Sequence, residues 1–358
     1  MRLYGVILSY LFTPEGVTLT EMKAYEIQQF GIEELALVDH EDPTPQVSEV
    51  LVKFHAASLN YRDVMAVSGT YNPRMKLPAI PFSDGAGEIT AVGEGVTKWS
   101  VGDRVMPIFM QGWVEGEVSE EKRRTALGAG SSWNGVLREF GTFSQEAVVR
   151  IPPHLSYEEA ATLPCAAVTA WNGLNVSGRL KAGETVVALG TGGVSIFALQ
   201  FAKVAGARVI VTSSSDEKLE RARQIGADET INYKTHEDWD KAVLDLTGKV
   251  GADHVVEVGG AGTLPRSLNA VRVGGHIAMI GALTGGQVSP VNIFMKSIRL
   301  QGIFVGSRQM FEDMNRAISL AQLRPVIDRT FEFDEVCDAL KYMGAGSHLG
   351  KIVVKIGE

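Results

Sequence analysis

Gly190-Thr-Gly192-Gly193 stands between an apolar run, Thr185-Val-Val-Ala-Leu189, and apolar residues at helical spacing, Val194, Phe197, Ala198 and Phe201. Strand, glycine turn and helix in that order lay a pyrophosphate on a helix N-terminus, where unpaired N–H groups and the helix dipole favour anions. Glycines suit this chemistry because a Cβ would block the tight turn and keep the backbone off the phosphates. The third small position, Ser195, still allows close packing of helix on strand. About 20 residues on, an NAD-selective site places Asp or Glu on the ribose 2′-hydroxyl. Here the corresponding strand end is Thr212-Ser213-Ser214-Ser215, hydroxyls that accept a 2′-phosphate where a carboxylate would repel it. NADPH is therefore the expected dinucleotide. Asp216 lies close enough to serve NAD instead.

The elements around the turn repeat an α/β pattern. A helix ends near Gly206, and strands are expected over 207–212, 229–233, 252–258 and 276–281, with a helix over 216–225. Alternation of this kind predicts a parallel, doubly wound sheet in residues 151–324. Residues 22–150 are instead β-rich and dense in Gly and Pro, as in a compact, partly closed barrel. A long polar loop, 111–135, interrupts them between Trp113 and Trp133, which either wall an apolar pocket or anchor the loop. Ser156 with Glu159 has capping-box spacing for a helix leading onward. The tail has strand-like 331–333, helical 336–343 and strand-like 350–356. It is expected to return to the first domain, completing it with residues from about 325 to 358.

Within 358 residues, 45% apolar content and 21% charge describe an ordinary globular chain. Its net charge of −8 argues against nucleic-acid or anionic-membrane surfaces. Two cysteines, Cys165 and Cys337, form neither a disulfide framework nor a zinc module, which suits a cytoplasmic location. The seven histidines show no ligand spacing. Residues 3–12 are apolar but short and lack a clear cleavage site, so no signal peptide is expected. Residues 1–21 read as an appendage, or as the product of an upstream start, before a strand that opens at Met22.

Several ordered motifs carry a resemblance: Ala57-Ser-Leu-Asn-Tyr-Arg-Asp63, Ser68-Gly-Thr-Tyr71, Pro81-Phe-Ser-Asp-Gly-Ala-Gly87, Val101-Gly-Asp-Arg-Val105, Leu163-Pro-Cys-Ala-Ala-Val-Thr-Ala-Trp171, the glycine turn, and Gly350-Lys-Ile-Val-Val354. From Met22 onward the chain resembles the zinc-free, quinone oxidoreductase-like branch of the medium-chain dehydrogenase/reductases. That resemblance implies a GroES-like barrel, a Rossmann domain and an active site in the cleft between them. Zinc enzymes of the family place Cys where Asn60 stands and His-Glu where Ser83-Asp84 stand, so only Cys165 keeps a ligand type. A catalytic zinc needs three protein donors, and none is expected to bind.

By the same resemblance, Asn60 and Tyr71 lie near the nicotinamide as candidate hydrogen-bond donors to the developing oxyanion, with Tyr71 acting either as proton donor or in shaping the pocket. Cofactor contacts are implied for Thr169, Gly190, Gly192, Gly193, Val194, Ser213, Ser214, Lys218, Tyr233, Gly281, Ala282, Leu283, Phe304 and Val305. Ser214 and Glu217 have capping-box spacing, which would leave Lys218 as a helix-surface charge unless it meets the 2′-phosphate. Arg62 and Asp63 are expected to pair structurally. The implied activity is hydride transfer from NADPH to a quinone or α,β-unsaturated carbonyl. An alcohol dehydrogenase, or an NADPH-binding protein without turnover, remains the alternative. A homodimer through the apolar segment 298–305 is expected.

Overall fold

The computed structural model describes residues 21–128 and 133–357. Residues 1–20, and with them nearly all of the expected appendage, lie outside the described residues. The strand anticipated at Met22 is β1 (Glu21–Ile27), which pairs antiparallel with β2 (Leu35–Glu41). Next come β3 (Glu49–Ser58), β4 (Asp84–Val92), β5 (Arg104–Pro107), β6 (Phe140–Ser144) and β7 (Val148–Arg150). Along β3 the first residues alternate between buried and half-buried, the period of a strand with one face on a core. Gly87 of β4 sits beside a register shift, where a Cβ would lie 2.0 Å from the Lys53 carbonyl oxygen. Only glycine permits that approach.

The nucleotide-type half contains β8 (Thr185–Leu189), β9 (Arg208–Ser213), β10 (Glu229–Asn232), β11 (Ala252–Glu257), β12 (Val271–Met279) and β13 (Arg299–Gly302). Among the described residues these form one parallel sheet in the order β10-β9-β8-β11-β12-β13. Strand order reverses between β8 and β11, and open sheets bind ligands beyond the carboxyl ends of strands at such a point. β12 begins at Val271 rather than His276. Gly274 and Gly275 read as a breaker, yet the Gly274 N–H donates to Lys296 O at 2.7 Å and the strand passes through.

The tail returns as expected. β14 (Ile327–Phe331) and β15 (Lys351–Lys355) join the first half, giving the order β14-β15-β3-β4-β5-β7 with β6 also on β3. The strand expected over 331–333 stops at Phe331. Glu332 N donates to Glu335 Oε2 at 2.9 Å, and that local bond turns residues 333–335 into a 3₁₀ coil. One buried apolar cluster runs from Met106 and Phe109 through Leu163 to Val186 and Ile196, so the two sheets share a core. Among the described residues, no helix is long and apolar enough to cross a membrane.

Candidate active site

Four segments meet in the cleft: the start of helix Tyr61–Val67, the start of β4, the π-helical turn Leu163–Ala167 and the first residue of β15. Lys351 sits among them with 2% exposure. Its Nζ donates to Leu59 O at 2.6 Å and to Asn60 Oδ1 at 2.7 Å, and lies 3.7 Å from Asp84 Oδ2. An ammonium has donors only, so the Asn60 amide must turn its oxygen towards Lys351. The Asn60 Nδ2 is buried without a hydrogen-bond partner. It leans on Asp84 and favours the ionised carboxylate there, though not in hydrogen-bond geometry.

Asp84 is fully buried. Its Oδ1 accepts from Ser83 Oγ at 2.8 Å and its Oδ2 from Cys165 N at 3.2 Å. Burial pushes its carboxyl above the usual range, opposed by Lys351. Asp63 accepts the Asn60 N–H at 2.8 Å and forms the expected ion pair with Arg62, at 3.4 Å. Burial nevertheless raises its carboxyl to about 6, against the pull of Arg62. Desolvation pushes the Cys165 thiol far above its ordinary value, with Asp84 adding to the effect, so it stands protonated. Arg62 donates to Leu127 O at 2.9 Å, with its guanidinium over the rings of Tyr71 and Phe109.

The glycines of the turn have three different reasons. Gly190 has φ +73°, a left-handed backbone that disfavours any side chain. Gly193 yields to Lys351, whose Cδ would lie 2.7 Å from a Cβ there. Gly192 has an ordinary φ of −75°, and a Cβ on it would meet no atom within 4 Å. Nothing among the described residues demands its bareness, so the open space fits a ligand. Helix Gly193–Val204 follows with no side-chain cap and no acidic residue in its first turn, leaving its N–H groups for an anion. Val194 is half-buried beside it, and Ser195 Oγ donates to Leu189 O at 2.6 Å, closing helix on strand.

At the end of β9 the cap differs from expectation. Ser215, not Ser214, caps helix Asp216–Ile225 by accepting from Lys218 N at 3.3 Å, because Ser215 is the residue directly before the first helical one. Ser213 is buried and accepts from Ser215 N, whereas the Ser214 hydroxyl has no partner among the described residues. Lys218 is no solvated surface charge. Its Nζ donates to Gly346 O at 2.8 Å, and burial lowers its pKa. Asp216 accepts from Asn232 Nδ2 at 2.7 Å, and exposed Tyr233 follows β10.

The remaining expected residues divide. Thr169 is buried and its hydroxyl donates to Cys165 O at 2.7 Å. A Cβ on Gly281 would lie 1.7 Å from Val258 O, so strand approach alone explains that glycine. Ala282 and Leu283 are exposed beyond it. Val305 has φ +56°, a strained conformation for a β-branched residue, and its carbonyl accepts from Asn172 Nδ2 at 2.7 Å. Tyr71 and Phe304 come together with Arg62 on a cavity of about 610 Å³. Asn60 is not among its lining residues.

Trp113 and Trp133 do not line that cavity, whose wall is charged rather than apolar. Trp113 is an anchor: its indole donates to Gly116 O at 2.9 Å and its carbonyl accepts from Arg308 N at 2.9 Å. Sequence reasoning gave no role to Lys351, although a lysine opening an apolar strand was a visible signal. It also passed over His254 and His276, which face each other across β11 and β12. His254 Nε2 lies 2.9 Å from Glu184 Oε2, and burial lowers both imidazoles, His276 to about 4.

Residues 46–153 match the alcohol dehydrogenase GroES-like domain, and residues 193–321 match the zinc-binding dehydrogenase domain. A zinc-type alcohol dehydrogenase-like protein of Schizosaccharomyces pombe is 44% identical, covering 91% of this chain and 96% of its own length. The chain belongs to the medium-chain dehydrogenase/reductase superfamily. Its two halves are the GroES-like domain and the Rossmann-like parallel sheet of that superfamily, whose members are oxidoreductases that bind a nicotinamide cofactor. An acryloyl-coenzyme A reductase of Metallosphaera sedula is 30% identical over 88% of this chain and 94% of its own. A solved NAD-dependent alcohol dehydrogenase superposes with a TM-score of 0.86 at 32% identity, over 94% of this chain and all of that one.

The zinc that some superfamily names imply does not fit the residues in this cleft. Asn60 offers an amide oxygen already bonded to an ammonium, Asp84 is held by three partners, and Cys165 is a thiol rather than a thiolate. No three His, Cys, Asp or Glu side chains among the described residues converge as a metal site.

Gly192→Ala should leave the melting temperature within about 2 °C of wild type, since its φ suits alanine. It should weaken nicotinamide-cofactor binding by about tenfold or more. Equal cofactor dissociation constants would remove the cradle reading. Asp63 has a pH consequence. It holds its proton to about 6 in the fold but only to about 4 when unfolded. Between those values the native state binds more protons, so Asp63 costs stability as pH rises. Across that window the melting temperature of Asp63→Asn should gain on wild type, and a constant difference would contradict the assignment.

Proposed function

We propose that this protein is a metal-independent, NADPH-dependent reductase of quinones or α,β-unsaturated carbonyls. The observation that carries the reading is the Lys351 ammonium bonded to Asn60 and beside Asp84, where zinc relatives hold ligands. Without a Lewis acid, a simple ketone lacks its activator, whereas a quinone or enone delocalises the charge that hydride attack creates. A bound nicotinamide supplies the hydride. Arg62 positions the Tyr71 ring by its guanidinium, 5.2 Å from the centroid, and the Tyr71 hydroxyl donates to the carbonyl oxygen from the cavity wall.

Support for NADPH comes from the ends of β9 and β10. Asp216 Oδ1 accepts from Asn232, which turns one of its two oxygens away from a ribose, while Ser214 has an uncommitted hydroxyl. Lys218 reaches the 2′-phosphate by leaving Gly346 O. The name of the Metallosphaera relative fits reduction of an activated double bond; that of the solved neighbour favours NAD and an alcohol.

One experiment separates these. NADPH and NADH are compared on a panel of quinones, enals and alcohols, with zinc measured on the same protein. A KM for NADPH about tenfold below that for NADH, turnover of enals or quinones, and substoichiometric zinc are expected. Preference for NADH overturns the cofactor assignment, and alcohol oxidation with one zinc per chain establishes the alternative.

The homodimer is proposed through β13. This strand lies at the sheet edge, and Val291, Phe294 and Met295 beside it are 58%, 79% and 67% exposed. Unpaired edges with apolar flanks associate readily. Sedimentation should give a dimer, and Phe294→Glu should give monomer; monomeric wild type would end the idea.

A further inference from the structure

The cavity that holds Tyr71 and Phe304 has a wall unlike the rest of the chain. Arg62, Arg74, Lys76, Arg123 and Arg124 line it, against Glu120 as the one acid on the wall. These cations gather in a protein whose net charge is −8. Arg123 and Arg124 share Glu120 at 3.7 and 3.4 Å. Arg74 and Lys76 are exposed and have no side-chain partner among the described residues. The wall therefore keeps a positive excess, and a concave site focuses such a field.

A second observation lies beneath that wall. The Arg62 side chain is only 10% exposed, and its Nε is buried without a hydrogen-bond partner. Its other contacts are Leu127 O at 2.9 Å and Asp63 Oδ1 at 3.4 Å. A guanidinium carries five N–H donors, so this fixed cation is left short of acceptors among the described residues.

The cations stand against the two rings that flank the reacting group. The Arg62 guanidinium is 5.2 Å from the Tyr71 ring centroid, and that of Arg123 is 5.6 Å from the Phe304 ring centroid. No residue of the glycine turn or of the serine run after β9 lines the cavity, so these cations are not those that would meet the cofactor's phosphates. An anion held here lies only a few bonds from a carbonyl that Tyr71 engages. A remote charged tail does not fit that spacing. A carboxylate on a short substrate does, and its two oxygens match a guanidinium fork. At about 610 Å³ the cavity has room for a small acid.

We infer that this cavity selects a substrate carrying its own carboxylate within a few bonds of the reducible group, an unsaturated oxo acid rather than a neutral enal or quinone. The inference rests on the reductase reading and narrows its substrate class. Arg74, Lys76 and Arg123 hold the carboxylate while the ketone oxygen meets Tyr71. The carbon β to the ketone accepts the hydride, and the conjugated π electrons shift onto the ketone oxygen as an enolate. A proton from solvent then adds to the α carbon as the carbonyl re-forms. One NADPH is oxidised for each double bond reduced.

The trans-4-oxo-2-pentenoate ion and its methyl ester present the same double bond with and without the charge. On NADPH-saturated full-length protein, kcat/KM should favour the acid by about tenfold or more, through KM, although the ester is the stronger electrophile. That preference should shrink as ionic strength rises. Arg74→Ala with Lys76→Ala should lower the ratio by about tenfold, whereas Arg74→Lys with Lys76→Arg should keep it. Equal kcat/KM for acid and ester in wild type, or a ratio untouched by the double alanine variant, would overturn the inference. Calorimetry of 4-oxopentanoate, the saturated acid, binding to NADP-loaded protein reads the site without turnover. Binding lost in the double alanine variant, with neither acid nor ester reduced by wild type, would uphold the anion site and refute the reductase reading instead.

Discussion

A buried ammonium is the constraint around which this cleft is arranged. Removing a charge from water costs several kcal/mol after relaxation unless oxygens replace the lost hydration. Lys351 finds them in the Leu59 carbonyl, the Asn60 amide and the Asp84 carboxylate. Each partner comes from a segment far away in sequence, so the cation joins the C-terminal strand to the N-terminal half of the chain. Its aliphatic stem also presses on Gly193, and Gly350 N donates to Thr191 O at 2.9 Å. The nucleotide turn and the sheet of the N-terminal half are thereby tied at one point by a side chain and a backbone bond.

Two kinds of positive charge follow. Arg62 with Asp63 and Lys351 with Asp84 form adjacent buried pairs whose carboxyls are both raised by desolvation. Each pair is close to neutral from outside, so the field in the open cavity arises from exposed guanidinium and ammonium groups at its rim. Interior pairs fix shape and rim charges recruit. Separating the tasks lets the first set stay desolvated while the second remains accessible to solvent and salt.

Much of this was legible in the sequence, for physical reasons that differ by element. β8, the glycine turn and the following helix were readable because hydrophobic period changes from two to 3.6 across a glycine break. Helix Asp216–Ile225 was placed to the residue, yet its cap moved from Ser214 to Ser215, since three consecutive serines offer the same chemistry at adjacent positions. β12 was clipped because Gly274-Gly275 looks like an end when a neighbouring carbonyl carries the strand through. The site was harder. The family resemblance implied that the zinc ligands were replaced, but not that a lysine some 290 residues away would occupy the gap. Nor does periodicity reveal that Trp113 turns inward to brace the loop while the arginines of the same loop face the cavity. Such facts depend on which distant segments meet.

Val305 carries a consequence for how a ligand enters. A left-handed backbone would cost glycine little, whereas a β-branched side chain there is strained by about 1–3 kcal/mol. The surroundings overrule that cost, with Asn172 gripping the carbonyl and the side chain only 6% exposed. A loop so constrained has few alternative shapes to lose. A ligand that meets the segment after β13 would find it ready-made: occupancy demands little ordering there, and affinity is not taxed by a folding step.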